Sequence, residues 1–398
     1  MAAEDSCPPL PEDVVLLHVG LHKTGTTAIQ TLLAANRPAL LEHGVAYPGE
    51  RPEHHGPARA LLQLSFGPPS ARRPPPKPEV YTDFVAEVAG LPGRVVVSTE
   101  YLSNVEDDIA ARLVHDLGPE RVHVLIGIRS LIGAAVSTWQ QTLKDGQTHT
   151  IERWAELAIA REDVPPKLPR ALDHGRLGAL ARQWADAAGA DRVTMAVVEG
   201  QDRTWLPATF EQLLDLPAGL LSQQEPPLVN RGMTAAEAEF VRRVNVASLK
   251  EISHAEHRRL IRFGAVRSMV EGWTPPAGEP KPALPAWAVE ELQAAAAKAA
   301  EEIRASGVRV LGDLAALAAA PSTPAPREPA RALPMDAAVD ALLGTVRIAA
   351  QPAPPPRPAK PANPPITAVP ARTIARELRR RLWRRAAMLV ARARRRAT

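Results

Sequence analysis

Short apolar runs and stretches with helical spacing alternate along the first half of the chain. Apolar runs that begin near residues 14, 94, 121 and 192 predict strands. Between them, apolar side chains recur three or four positions apart, which predicts helices up to Asn36 and over 80–89, 109–117 and 131–141. Alternating strands and helices indicate a parallel sheet, so we expect an α/β fold in which helices flank a central parallel sheet in three layers.

The pattern changes in the second half of the chain. It is largely helical after residue 150, and we expect helices to continue to about Ala320. Proline- and alanine-rich tracts over 321–334 and 351–370 predict extended linkers, with a short helix between them at 335–349. The expected organisation is a flexible leader at 1–13, an α/β domain at 14–320, a disordered linker at 321–372 and a terminal helix at 373–398.

Charge divides the chain into two parts. Residues 371–398 hold eleven arginines and one glutamate, a net charge of +10, so the other 370 residues carry −6 out of a total of +4. Ile374, Leu378 and Leu382 begin an apolar stripe at helical spacing, which predicts a basic amphipathic helix over 373–398. Such a helix suits an anionic membrane surface. The apolar stripe disfavours a nucleic-acid-binding arm, and a solubilising tail remains an alternative.

The rest of the composition excludes several classes of protein. Cys7 is the only cysteine, so neither an intrachain disulfide nor a thiolate zinc site can form. The leader at 1–13 lacks the apolar segment of a secretory signal, and no run of about eighteen apolar residues predicts a membrane-spanning helix. We therefore expect a cytoplasmic protein whose basic helix allows peripheral attachment to the inner face of a membrane.

Residues 14–33 combine a strand, a polar loop and a helix. The strand ends at Gly20, Gly25 lies in the loop, and Lys23, Thr26 and Thr27 place a cation and two hydroxyls near the start of the helix. Loop amides and the helix dipole make this layout suitable for binding an anion such as phosphate. The glycine spacing matches the phosphate-binding loop of nucleotide triphosphatases, but Thr26 occupies the position of their lysine. The segment therefore predicts a P-loop-like fold that does not hydrolyse ATP.

Three charged side chains lie near the carboxyl ends of predicted strands. Lys23, Glu100 and Arg129 each follow an apolar run at this end. Ligands of parallel sheets bind beyond the carboxyl ends of the strands, so we expect the three residues to line one site. Ser137 lies eight residues after Arg129, on the helix predicted there. An arginine fork and a hydroxyl together suit a phosphate group.

Two motifs resemble those of the sulfotransferases that use 3′-phosphoadenosine 5′-phosphosulfate (PAPS). The 5′-phosphosulfate loop of that family resembles the string Lys23-Thr24-Gly25-Thr26-Thr27, and its 3′-phosphate site resembles Arg129 with Ser137. Ser130-Leu131 stands where the family usually has Asp-Pro. The resemblance covers residues 14–141 and implies sulfuryl transfer from PAPS to a hydroxyl or an amine, without a metal.

The resemblance also implies a role for each matching residue. Lys23 would stabilise the negative charge that grows on the leaving phosphate, and the loop from Thr24 to Thr27 would hold the 5′-phosphate. Arg129 and Ser137 would hold the 3′-phosphate. Arg231, followed by a glycine, matches a basic loop that the family returns to the nucleotide at about this depth, and the alternative is that it only leads into a helix.

The acceptor needs a base, which in these enzymes is a histidine or a glutamate. Glu100 is the first candidate because it follows the strand beside the loop, and His55, in a long proline-rich segment, is the second. Glu100 could instead orient Lys23 or Arg129.

The second interpretation of the whole chain is a non-catalytic nucleotide- or phosphate-binding module that its basic tail recruits to a membrane. A kinase or nucleotide hydrolase of related fold is disfavoured by the threonine at position 26. The acceptor, whether a carbohydrate, a glycolipid or a small metabolite, is not encoded in these motifs.

Overall fold

A parallel sheet forms the centre of the computed structural model, which describes residues 8–21, 24–65, 73–159, 176–198, 204–221, 231–320 and 332–351. The strands in these residues are β1 (Val15–Gly20), β2 (Val45–Ala46), β3 (Arg94–Ser98), β4 (Val122–Ile128), β5 (Val193–Val197) and β6 (Arg309–Leu311). All their pairings are parallel, and their order across the sheet is β2-β3-β1-β4-β5-β6.

Helices connect the strands and cover the sheet. They are α1 (Thr26–Ala35), α2 (Arg37–Glu42), α3 (His55–Leu61), α4 (Glu79–Gly90), α5 (Asp107–Leu117), α6 (Leu131–Lys144), α7 (Ile151–Ala158), α8 (Arg176–Ala188), α9 (Trp205–Leu214), α10 (Ala235–Ser248), α11 (His254–His257), α12 (Arg267–Gly272), α13 (Ala286–Ala305) and α14 (Met335–Ala350). A π-helix, Arg258–Val266, lies between α11 and α12.

Alternate residues of β1 pack into two different hydrophobic cores, one on each face of the sheet. Val15, Leu17 and Val19 belong to the core that includes side chains of α4, α5, α6, α8 and α13. Leu16 belongs to the core that includes Ile29 of α1 and side chains of α9. Every residue of β1 is buried, as expected for a parallel strand covered on both faces. The predicted α/β fold with a central parallel sheet between helical layers is therefore confirmed.

The direction of the connections changes at β1. This strand lies between β3 and β4, with His18 paired to Ser98 on one side and Gly20 paired to Gly127 on the other. The chain passes from β1 to β2 and β3 on one side, and then crosses to β4 on the other. Ligands of open parallel sheets bind at such a switch point, beyond the carboxyl ends of the strands. The segments that follow β1, β3 and β4 meet there.

The four strands predicted from apolar runs are present as β1, β3, β4 and β5. The prediction of uninterrupted helices up to Ala320 is wrong, because β6 pairs with β5 at the sheet edge. A three-residue edge strand buries too little surface to leave an apolar run in the sequence. The short strand β2 occupies the opposite edge.

Two observations concern residues near the expected boundaries of the α/β domain. Leu10, expected in a flexible leader, is buried, and its carbonyl accepts hydrogen bonds from Arg94 at 3.0 and 3.1 Å. The helix predicted at 335–349 is present as α14, but it packs against the π-helix and α12 and belongs to the compact unit Met1–Ala350. Residues 1–7, most of the predicted linker and the predicted basic helix at 373–398 lie outside the described residues.

Candidate active site

A glycine lies at each end of the loop between β1 and α1. Gly25 has φ of 85°, a left-handed conformation that glycine adopts without strain, and α1 begins at the next residue. A Cβ on Gly20 would collide with the Thr26 hydroxyl, so the close approach of strand and helix requires a glycine there. No side chain caps α1, and its first turn contains no acidic residue. The start of this helix is therefore compatible with an anion.

The threonines of the loop differ in their surroundings. Thr24 is buried and donates a hydrogen bond of 2.7 Å to the Leu21 carbonyl, and its hydroxyl lies 3.4 Å from that of Thr26. Thr27 is exposed at the start of α1. The predicted catalytic residue Lys23 lies outside the described residues, so its role stays a prediction.

A buried polar network lies beneath the loop and joins β1, β3 and α1. Gln30 donates to the Ser98 hydroxyl at 3.2 Å, and that hydroxyl lies 2.9 Å from His18 Nδ1. Burial lowers the pKa of His18 to about 4, although Glu100 opposes this effect, so the ring is neutral at pH 7. Because the strand carrying His18 ends in the loop, this network fixes the base of the loop to the neighbouring strand.

The two candidate bases, predicted as alternatives, lie in contact with each other. His55 Nε2, at the start of α3, is 2.9 Å from Glu100 Oε2, at the start of the 3₁₀ turn that follows β3. His55 Nδ1 lies 3.9 Å from a carboxylate oxygen of Glu53, and Tyr101 contacts the imidazole edge to face. The side chains of His55 and Glu100 are 30% and 21% exposed, so a substrate can reach the pair.

Arg129 follows β4 and lies across the first turn of α6. Its Nη2 atom is 3.0 Å from the position that a Cβ on Gly133 would take, so the missing side chain leaves room for the guanidinium. Burial lowers the pKa of Arg129. Ser137 is four residues after Gly133 and half-buried, which places it one turn further along the same face of α6. The predicted pair Arg129 and Ser137 is therefore brought to one helix face.

Ser130 caps α6. Its hydroxyl accepts a hydrogen bond from the Gly133 amide at 3.1 Å, which caps α6. The same hydroxyl donates to the Ala319 carbonyl at 2.6 Å. A serine at this position thus starts the helix that carries Ser137.

Arg231 is engaged in the packing of α10. Its two terminal nitrogens each donate to a carboxylate oxygen of Glu237 at 2.7 Å, and Nη2 also donates to the Trp273 carbonyl at 2.9 Å. Glu237 is fully buried and forms a capping box with Thr234 at the start of α10. These contacts match the alternative interpretation, in which Arg231 leads into a helix, and we do not assign it to the nucleotide.

The candidate groups lie at adjacent strand ends. Because neighbouring strands are about 4.8 Å apart and β1 lies between β3 and β4, the ends of β3 and β4 are roughly 10 Å apart, with the loop after β1 between them. Glu100 follows β3 on one side of the loop, and Arg129 follows β4 on the other. An anion at the start of α1 would therefore have a base on one side and a cation on the other.

Sequence reasoning missed several residues that shape this region. Gly133 carries a usable signal, since a glycine in the first turn after a candidate phosphate-binding arginine indicates a close approach. His18 is a lone polar residue in an otherwise apolar strand, and Gln30 is a polar residue on the buried side of α1. The proximity of Glu53 to His55 leaves no recognisable pattern in the sequence.

The fold and the site together define a parallel α/β protein with a glycine-containing loop between strand and helix at its switch point. No protein-family model matches the chain, and no curated protein matches it. Among solved structures, the chain is similar to a sulfotransferase from Alicyclobacillus acidocaldarius, with 17% identity and a TM-score of 0.36 over 63% of this chain and 100% of that chain. A likeness this distant leaves the function to be inferred from the site. In the described ranges, no helix has both the length and the apolar character needed to cross a membrane.

Proposed function

We propose that this protein is a sulfotransferase that moves a sulfuryl group from PAPS to a hydroxyl or an amine of an acceptor. The observation that carries the proposal is that three groups lie together at the carboxyl end of the central strands. The loop after β1, the Glu100–His55 pair after β3 and the Arg129–Ser137 face after β4 occupy neighbouring positions. Each of these groups has the chemistry that one part of this reaction requires.

The loop after β1 would hold the 5′-phosphosulfate of the donor. The open start of α1 offers backbone amides and the positive end of the helix dipole, and Thr26 and Thr27 offer hydroxyls. Negative charge increases on the 5′-phosphate oxygen as its bond to sulfur breaks. A cation held there stabilises the transition state more than the ground state, and Lys23 is the residue of this loop that has such a charge.

The Arg129–Ser137 face would hold the 3′-phosphate. A guanidinium fork binds two phosphate oxygens in a fixed orientation, and a serine hydroxyl satisfies a third. Because Arg129 is half-buried and lies against the first turn of α6, it is held in position before the donor arrives, which reduces the entropy lost on binding. With both of its phosphates bound, the donor would lie across the carboxyl ends of the central strands in one orientation.

The Glu100–His55 pair would activate the acceptor. In the reaction, the acceptor oxygen or nitrogen forms a bond to sulfur, the bond from sulfur to the 5′-phosphate oxygen breaks, and the acceptor proton passes to the base. A carboxylate that accepts the Nε2 proton of His55 orients the imidazole and leaves Nδ1 to accept a proton. The products are the sulfated acceptor and adenosine 3′,5′-bisphosphate.

The proposal is tested by incubating the full chain with PAPS labelled with radioactive sulfate and a panel of sugars, glycolipids and small amines. We expect labelled product from the wild type and none from Lys23→Ala, whereas Lys298→Ala, at an exposed lysine on α13, should be unchanged. Because the acceptor is unidentified, mass spectrometry of a cell extract treated with enzyme and PAPS should reveal a compound heavier by one sulfate.

The outcomes of this assay separate the two interpretations of the chain. Turnover retained by Lys23→Ala would contradict the proposed role of the loop. Tight binding of adenosine 3′,5′-bisphosphate without transfer to any compound of the extract would favour the non-catalytic nucleotide-binding module. Absence of both binding and transfer would overturn both interpretations.

A further inference from the structure

The helix α14 presents a row of large apolar side chains to solvent. Of the eleven large hydrophobic residues that are exposed in the described part of the chain, five lie on this one helix of 16 residues. Their exposed fractions range from 42% to 78%, for Met335, Val339, Leu342, Leu343 and Val346. Single exposed apolar residues are normal, but a continuous row marks an interaction surface.

The opposite face of α14 holds the helix on the body of the protein through small residues. Ala337, Ala341 and Gly344 are buried there. A Cβ on Gly344 would collide with the Gly264 carbonyl of the π-helix, so the two backbones are in close contact. The distribution is the reverse of that of an ordinary surface helix, which buries its large apolar residues and exposes its polar ones. Packing of α14 onto the body therefore does not explain why its large apolar residues face solvent.

The exposed residues follow a heptad pattern. Met335, Val339, Leu342 and Val346 are separated by four, three and four positions, the spacing of alternating d and a positions in a coiled coil. Apolar residues at alternating a and d positions form the seam along which one helix packs against another. The sequence of the exposed face thus specifies another helix as its partner.

We propose that α14 pairs with α14 of a second copy of this chain, in an antiparallel arrangement about a two-fold axis. The helix has an exposed aspartate near its start, Asp336, and an exposed arginine near its end, Arg347. Antiparallel pairing brings each aspartate near the arginine of the other copy, so the face is self-complementary, as a two-fold interface requires.

The charge of α14 favours this partner over a lipid surface. Helices that lie on membranes carry lysine and arginine on their polar face. The charged residues of α14 are Asp336, Asp340 and Arg347, which leave it with a net charge of −1. An anionic membrane would not attract this helix. A second copy of it would cover the row of apolar side chains and also supply a charge opposite to each of Asp336 and Arg347.

The attachment of α14 to the body makes the pairing feasible. A helix of 16 residues is roughly 24 Å long and offers only two heptads, which is marginal for a free peptide. Here the helix is already folded on the π-helix and α12, so association does not have to supply the free energy of helix formation. We therefore expect a dimer that dissociates on dilution.

The mass of the full chain in solution tests the proposal. Sedimentation velocity or light scattering should give twice the mass of one chain at high concentration for the wild type, and one chain for Leu342→Glu at the same concentration. Leu41→Glu, a matched change at a leucine that is 60% exposed on α2, should still dimerise. Circular dichroism checks that both variants remain folded, which we expect because both leucines are exposed.

Charge exchange tests the antiparallel orientation. Asp336→Arg and Arg347→Asp each place like charges together across the two-fold axis, and we expect each to weaken dimerisation by roughly fivefold, about 1 kcal/mol. The double variant restores opposite charges and should recover the wild-type dissociation constant. A wild-type chain that is monomeric at its highest soluble concentration overturns the proposal, as does Leu342→Glu that dimerises like Leu41→Glu. If the double variant dimerises as weakly as the single charge variants, the antiparallel orientation is overturned.

Discussion

The replacement Gly133→Ala should change stability and donor binding in opposite directions. A methyl group at this position would lie 3.0 Å from Arg129 Nη2, whereas an ordinary contact of a Cβ begins at 3.4 Å. The guanidinium must therefore move by about 0.4 Å away from α6. The next nearest atoms, at 3.7 Å, belong to the same guanidinium, so the neighbour that must move is the end of a flexible side chain. We expect the backbone of α6 to stay in place.

The two effects have different magnitudes. Alanine is favoured over glycine within a helix by roughly 0.5–1 kcal/mol, so the variant should unfold at a higher denaturant concentration. A hydrogen bond between a charged group and a phosphate contributes about 1.5–3 kcal/mol, and we expect displacement of the guanidinium to remove about half of this. A loss of about 0.75–1.5 kcal/mol weakens binding of the donor by roughly 4- to 12-fold.

Isothermal titration with adenosine 3′,5′-bisphosphate measures the binding, and urea denaturation measures the stability. Gly90→Ala is the matched control, because Gly90 also lies in a helix and a Cβ there would meet no atom within 4 Å. The control should gain stability and bind the nucleotide normally. Unchanged nucleotide affinity in Gly133→Ala would show that Arg129 does not contact the donor and would remove the proposed 3′-phosphate site.

Three further predictions concern the base, the pH dependence and the tail. Glu100→Gln should lower turnover by roughly 10²- to 10⁴-fold with donor affinity unchanged, whereas weaker donor binding would mean that Glu100 orients Lys23 or Arg129 instead. Burial lowers the pKa of His18 and of His54 to about 4, below the ordinary value of 6.5. The unfolded chain therefore binds more protons between these values, so stability should be complete above pH 6.5 and should fall towards pH 4, by on the order of 3 kcal/mol for each histidine. Urea denaturation across this range should show the decline, and a flat profile would contradict it. Deletion of 371–398 should abolish binding to anionic liposomes while transfer activity in solution persists, and equal binding by both forms would exclude a membrane role for the tail.

The sequence was sufficient to predict the sheet because buried parallel strands leave continuous apolar runs. β1 and β4 are buried along their whole length and were recognisable for that reason. β6 has only three residues, lies at an edge of the sheet and follows the alanine-rich helix α13. The helical pattern of the preceding residues therefore hides its strand propensity. Leu10 is buried by contacts with distant parts of the chain, which no local pattern records.

The candidate site was predictable in its parts but not in its contacts. The rule that ligands bind beyond strand ends is sufficient to place Glu100 and Arg129 together at the carboxyl end of the sheet. The pairing of Glu100 with His55 depends on where the chain returns after β2, a separation of 45 residues that spacing cannot encode. Arg231 is a basic residue that the sequence offered for nucleotide binding, but its ion pair with buried Glu237 gives it a structural role.

The unequal lengths of the strands bear on how the molecule opens. β2 and β6, at the two edges, have two and three residues, whereas β1 and β4 in the centre have six and seven. Backbone amides at the rims should exchange with deuterium early, through local fraying that leaves the middle of the sheet intact. The candidate site lies at the end of β1 in this central part of the sheet, so partial unfolding at the periphery need not disturb it.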